Sequence, residues 1–203
     1  MTWPSPGGWL ERLGSGPAAI EARSRGIARD LAAVRWPGIE AELAAAVVYA
    51  GGDPSLLASI SIGARVPGPP ARVLVDVGMV RAGLRGVFAG AVAAEAPGAA
   101  DLARQTATTR SAAGMRLLWE EFGRDGLVVV GNAPTALLAA LDLAVEAPPA
   151  FVIATCPGFT LAEAAKNALV ESGLPHLAVL GTRGGSGLAA AAANVLLRRP
   201  DGR

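Results

Sequence analysis

Apolar positions along the chain fall into two rhythms. Arg72–Val77, Leu127–Val130, Phe151–Ala154 and Leu177–Leu180 are short runs that are apolar almost throughout and rich in Val, Ile and Leu. Runs of this kind suit strands buried on both faces of a parallel sheet. Between them lie stretches with helical spacing. Pro17 opens one in which Ile20, Ile27 and Leu31 share a face, while Glu21, Arg23, Arg25, Arg29 and Asp30 are polar. Ile39 to Tyr49 forms a second, with Glu40 and Glu42 in its first turn, and Gly51-Gly52 stops it. Tyr49 therefore sits at a helix C-terminus beside a glycine pair. A long helix is expected over Ala99–Phe122, interrupted at Thr108-Thr109, and others over Thr135–Val145, Leu161–Ser172 and Gly187–Leu197. Val87–Ala94 reads as a weak, Ala-rich strand and Gly78–Arg85 as a connection, while Leu56–Val66 fits neither rhythm.

Strands alternating with helices of this length predict right-handed βαβ units around a mainly parallel sheet. The expected architecture is a flavodoxin-like three-layer α/β fold of about five strands. Residues 1–16 read as an irregular arm, and residues 17–203 as a single domain without internal repeats.

Composition narrows the function classes. With 52% hydrophobic and 17% charged residues, the chain can bury a core. A net charge of +1 argues against a general nucleic-acid-binding surface. Cys156 and His176 are the only residues of their kinds, which rules out an internal disulfide and a zinc site of several Cys and His ligands. Both read as structural, Cys156 as a small buried hydrophobe. The first 16 residues lack the basic flank and apolar core of a signal peptide, and no run is long enough to span a membrane. The expectation is a cytoplasmic protein without membrane or nucleic-acid partners.

Three stretches carry candidate chemistry. Gly126 to Leu141 reads as strand, glycine turn and helix start, with Pro134 in the first helical turn. Its turn offers backbone N–H groups and a helix N-terminus to something anionic. Gly181-Thr-Arg-Gly-Gly-Ser-Gly187 is a second glycine-rich turn before a helix, and it matches neither a Walker nor a dinucleotide fingerprint. Thr108-Thr-Arg-Ser-Ala-Ala113 sets two hydroxyls beside Arg110, a residue suited to clamping a carboxylate.

These motifs, taken in order, resemble the precorrin-8X methylmutase family. The resemblance runs from about Pro17 to Leu197 and rests on Pro17-Ala-Ala-Ile-Glu-Ala-Arg-Ser24, Asp76 with Met79-Val80, Thr109–Ala113, Gly131–Leu137, Pro157-Gly-Phe159 with Lys166, and Gly184-Gly-Ser186. It implies a flavodoxin-like homodimer without metal or organic cofactor. The implied activity is an isomerisation in cobalamin biosynthesis, in which a methyl group moves between neighbouring carbons of ring C of precorrin-8X to give hydrogenobyrinic acid. The alternative is a non-catalytic paralogue that binds a corrin-type tetrapyrrole. By the same resemblance Ser24, Arg110, Ser111, Asn132 and Thr135 contact substrate. The family's acid is a histidine in a segment of the form Arg-Met-Ile-His, and here that segment reads Ala46-Val-Val-Tyr49. Tyr49 thus stands at the catalytic position and Ala46 at that of an arginine. Ala164 and Gly78 also replace polar residues of the family. An unperturbed phenol titrates near ~10 and an imidazole near ~6.5, so Tyr49 is the weaker proton donor.

Overall fold

The computed structural model describes residues 16–63, 66–86 and 88–198. The arm expected over residues 1–16 therefore lies outside the described residues apart from Gly16.

Helix α1 (Pro17–Ala33) and helix α2 (Gly38–Gly51) lead into a 3-10 turn (Pro54–Ser59) and strand β1 (Ile60–Gly63). Then follow β2 (Arg72–Val75), α3 (Gly78–Gly83), β3 (Ala89–Val92), α4 (Ala99–Gln105), α5 (Arg110–Leu118), β4 (Leu127–Val130), α6 (Pro134–Ala144), β5 (Phe151–Ala154), α7 (Ala162–Glu171), β6 (His176–Val179) and α8 (Ser186–Leu197). The strands form one sheet in the order β1-β6-β5-β4-β2-β3. All neighbours are parallel except β1, which runs antiparallel along the edge of β6. Counting only the parallel strands, the order is second, first, third, fourth, fifth. That is the flavodoxin-like winding, with its switch point between β2 and β4.

Side chains alternate between the two faces with the two-residue period of a strand. Val73, Val75, Val129, Ile153 and Val179 pack under α1, α2 and α8, while Leu74, Val128, Val130, Val152 and Ala178 pack under α5, α6 and α7. Many buried helix positions are alanine, including Ala32, Ala44, Ala189 and Ala193, so helices approach each other and the sheet closely. Trp119 is the bulky exception. Its indole is buried in a π-turn after α5, and its Nε1–H donates to the Ala147 carbonyl at 3.0 Å.

The structure settles the ambiguous stretch, and it departs from expectation at Gly78–Gly83 and on the face of α1. The ambiguous stretch resolves into a 3-10 turn, capped by Asp53 accepting from the Ser55 N–H, and then the added edge strand β1. Gly78–Gly83 is a short helix rather than a connection, pinned by the buried Val80. The long helix breaks where the two threonines predicted it, because the Thr109 hydroxyl caps α5 by accepting from the Ala112 N–H. On α1, Ala28 and Ala32 face the core while Ile20, Ile27 and Leu31 stay partly exposed, at 39%, 53% and 38%. The small face lets α1 lie flat on α2 and turns the large face outward. His176 is structural, as expected. Its buried ring donates from Nδ1 to the Leu174 carbonyl at 2.8 Å and accepts at Nε2 from the Ser61 hydroxyl at 3.2 Å.

Candidate active site

At the switch point, β2 ends at Val75 and places Asp76 opposite the turn after β4. The Asp76 carboxylate is fully buried and accepts three backbone N–H groups, from Gly131 at 3.1 Å, Asn132 at 2.8 Å and Ala133 at 2.7 Å. Burial pushes this carboxyl up from its ordinary range, and the three N–H groups pull against that shift. The turn is thus the anion-holding nest that its sequence predicts, but the anion is the chain's own Asp76. Gly131 is required by close approach, since a Cβ there would lie 2.6 Å from Val80 and 2.9 Å from both Ala189 and Ser186. Beside the turn, the Thr135 and Thr109 hydroxyls share a hydrogen bond of 2.7 Å.

Across the α8 side of the sheet lies an open groove of about 760 Å³. Its floor is the outer face of α8, where Gly187, Ala190 and Ala191 leave a shallow surface, and its walls are α2 and the Gly83–Gly86 segment. Arg25, Arg85 and Arg198 line it together with Ala46, Tyr49 and Asn194, and among the described residues no acidic side chain does. Arg25 and Arg198 have carboxylate partners outside the lining, Glu21 at 2.9 Å and Glu42 at 4.0 Å, while Arg85 has none among the described residues, so the lining itself is cationic and favours an anionic ligand. Gly52 ends α2 in the left-handed conformation at φ 62°, a turn that fixes Tyr49 at the rim. Tyr49 is 36% exposed, and the Arg25 guanidinium stacks on its ring at 4.6 Å.

A second hollow of about 510 Å³ adjoins the groove at Ala50 and Gly187 and opens at the carboxyl edge of the sheet, against Pro157 and Gly184-Gly185. Arg183 fastens its rim. Its guanidinium bonds Asp53 at 2.6 Å, the Ser55 hydroxyl at 2.8 Å and the Ser59 hydroxyl at 3.1 Å. Hydrogen bonds from Ser55, and then the charge of Arg183, hold the Asp53 carboxyl below its usual range. From beneath, the buried Lys166 donates its Nζ to the Arg183 carbonyl at 3.1 Å. Desolvation lowers the Lys166 pKa, while burial pushes the neighbouring Cys156 thiol up to about 11. The Ser186 hydroxyl, in the first turn of α8, is buried without a hydrogen-bond partner.

The residues expected from sequence fall into two groups. Tyr49 lines the groove. Arg110, Ser111, Asn132 and Thr135 cluster instead around the start of α5 and the turn after β4, and none of them lines either hollow. Arg110 and Asn132 are exposed, and Ser111 is buried. Ser24 is exposed on α1, outside both hollows and one residue before Arg25. Sequence reasoning missed Arg25, Arg85, Asn194 and Arg198 as groove residues. Arg85 and Arg198 lie outside any periodic stretch, and only the assembled groove brings them together.

The described residues hold no cluster of three or more His, Cys, Asp or Glu side chains suited to a metal, and no helix long and apolar enough to cross a membrane. What the fold and groove define is a doubly wound α/β protein with a cleft lined by arginines. The family described as CbiC, precorrin-8X methylmutase, matches residues 19–199, and the chain belongs to that family. It is 37% identical over 127 residues to a cobalt-precorrin-8 methylmutase of Methanothermobacter thermautotrophicus, covering 62% of this chain and 60% of that protein. It is also 39% identical over 130 residues to a cobalamin biosynthesis protein of Archaeoglobus fulgidus, covering 64% of this chain and 27% of that protein. The match thus spans less than two thirds of either relative. A crystal structure of precorrin-8X methylmutase from Thermus thermophilus superposes with a TM-score of 0.74 at 29% identity, covering 89% of this chain and 96% of that one.

Proposed function

We propose that the chain is an isomerase of corrin biosynthesis that moves a methyl group on ring C of precorrin-8X, or of its cobalt-bearing form, to give hydrogenobyrinic acid or the cobalt analogue. The observation that carries this reading is the groove. A shallow floor of Gly and Ala on α8 suits a flat macrocycle, and Arg25, Arg85 and Arg198 suit its peripheral carboxylates. Within this reading the substrate is held across α8, and the Tyr49 hydroxyl at the rim donates a proton to the conjugated ring as the methyl group changes carbon and takes a proton back as the product ring system forms, so that no net proton is consumed. The step is intramolecular and needs no co-reactant. Ser24, Arg110, Ser111, Asn132 and Thr135 take part only if a second copy closes the site, because they lie outside the groove of one chain. The reading accordingly includes a homodimer, supported by Ile20, Ile27 and Leu31 partly exposed along α1, Val34 exposed at its C-cap, and Phe159 at 97% exposure. It places the protein in the cytoplasm, as one domain over residues 17–203.

A second reading, a corrin-binding protein without turnover, is favoured by one feature, the phenol at position 49. Anaerobic incubation with precorrin-8X, followed by absorbance, separates the two. Turnover that falls by about a hundredfold or more in Tyr49→Phe, with product binding retained, is the expected result. Tight binding of hydrogenobyrinic acid without conversion removes the isomerase and leaves the binding protein. Binding of neither compound removes both readings, and sedimentation equilibrium tests the dimer.

A further inference from the structure

We propose that Arg25 is the residue that captures a ligand carboxylate at the Tyr49 end of the groove, and that Glu21 is an internal carboxylate it gives up in exchange. The proposal rests on the corrin reading for the identity of the ligand. Its geometry is this chain's own. Arg25 reaches the groove from α1, and its guanidinium lies over the Tyr49 ring at 4.6 Å, beside the small Ala46. Stacking on the ring fixes the plane of the guanidinium and leaves its edge free to form paired hydrogen bonds. That edge is now held by Glu21, whose Oε1 accepts from Nε at 2.9 Å and lies 2.9 Å from Nη2. Both side chains of this pair are about half in solvent, at 44% and 55%, so the pair is a weak one.

The other groove arginines differ. Arg198 lies 4.0 Å from Glu42, a carboxylate it shares with Arg29 at 3.8 Å, and Arg85 makes no ion pair among the described residues. Arg25 alone combines a stacking surface, which keeps it in place, with a carboxylate partner that a ligand can replace. The exchange replaces the partner at the edge of the guanidinium and leaves its stacking on Tyr49 and both helices where they are. It also keeps the ligand's edge against Tyr49.

The test is titration of wild type and variants with hydrogenobyrinic acid, read by absorbance at two salt concentrations. Arg25→Met is expected to weaken binding by about tenfold or more and to flatten its salt dependence. Glu21→Gln is expected to tighten it severalfold, because the competing charge is gone. Ala46→Arg, one helical turn from Tyr49 on the same wall, is expected to restore binding in the Arg25→Met background. Wild-type binding that is unchanged in Arg25→Met overturns the capture while leaving the corrin reading intact. Binding that is weakened in Arg25→Met but unchanged in Glu21→Gln overturns the exchange. If wild type binds no hydrogenobyrinic acid at all, the corrin reading itself fails and the proposal with it.

Discussion

The turn after β4 and the groove over α8 are opposite solutions to placing charge at one end of a sheet. At the turn, the buried carboxylate and the three N–H groups facing it already have their partners. Asp76 takes three N–H groups, sits in full burial, and faces a backbone too tight for a side chain at Gly131. In the groove, three arginines stand along a shallow Ala and Gly floor with no carboxylate lining it among the described residues. The first arrangement is complete within the chain and holds the fold. The second keeps Arg25 and Arg198 in exposed pairs with Glu21 and Glu42 and leaves Arg85 unpaired among the described residues, so its positive charge is within reach of a ligand. A glycine turn at a helix start is therefore not evidence of an open anion site until the occupant of its N–H groups is known.

If that contrast is right, the largest effect of any single substitution on stability falls at the turn. Asp76→Ala leaves three N–H groups without an acceptor in a buried site. It is expected to cost roughly 3 kcal/mol or more, read as a lower urea midpoint at unchanged slope. A loss below about 1 kcal/mol would mean that water fills the nest and that the turn is less sealed than its geometry indicates.

Next in size is a pH effect from the same buried floor. Burial pushes the Cys156 thiol up to about 11 from an ordinary value of 9.0. Between those values the folded chain keeps a proton that the unfolded chain releases. Stability should therefore fall as pH rises across that window, by roughly 2 kcal/mol. Cys156→Ala should remove that part of the loss. In the native protein near pH 8, Cys156 should also resist a thiol reagent that labels it readily after denaturation. Fast native labelling would show that the floor opens to solvent.

A smaller, local effect is expected where the two regions join. Arg183→Ala removes the bonds to Asp53, Ser55 and Ser59 that tie the glycine loop to the end of α2. Exchange of the Gly184 and Gly185 amides should quicken, while amides of β4 and β5 keep their protection. Quickening throughout the sheet would place Arg183 in the global fold rather than at the rim.

The same division explains what the sequence made legible. Strand and helix positions followed from periodicity because β4, β5 and β6 are buried on both faces and their Val and Ile content allows little else. The interruption at Thr109 was legible because a capping hydroxyl is a local signal. Strand β1 was not, since an edge strand of four residues has a weak pattern and owes its place to pairing with β6. The large face of α1 gave its helix correctly and its direction wrongly, because Ala28 and Ala32 carry the packing. At the site, Tyr49 was found through its place at the end of α2 and through the family resemblance. The partners of Asp76 and the arginines of the groove come from segments distant in sequence, so no local spacing brings them together. Motif density marked the scaffold better than it marked the arginines of the candidate groove.

The smallest expected stability change belongs to the groove, and it tests the contrast from the other side. Arg85 is exposed, lines the groove, and makes no ion pair among the described residues. Its charge adds to those of Arg25 and Arg198 rather than answering an acid. Arg85→Ala should therefore change stability by no more than about 0.5 kcal/mol, and a slight gain is consistent with relieved repulsion. The same variant should weaken binding of hydrogenobyrinic acid and reduce its dependence on salt, because one charge that meets the ligand is gone. A clear loss of stability with unchanged binding would invert the comparison. Arg85 would then belong to the fold, and the groove would be as internally satisfied as the turn around Asp76.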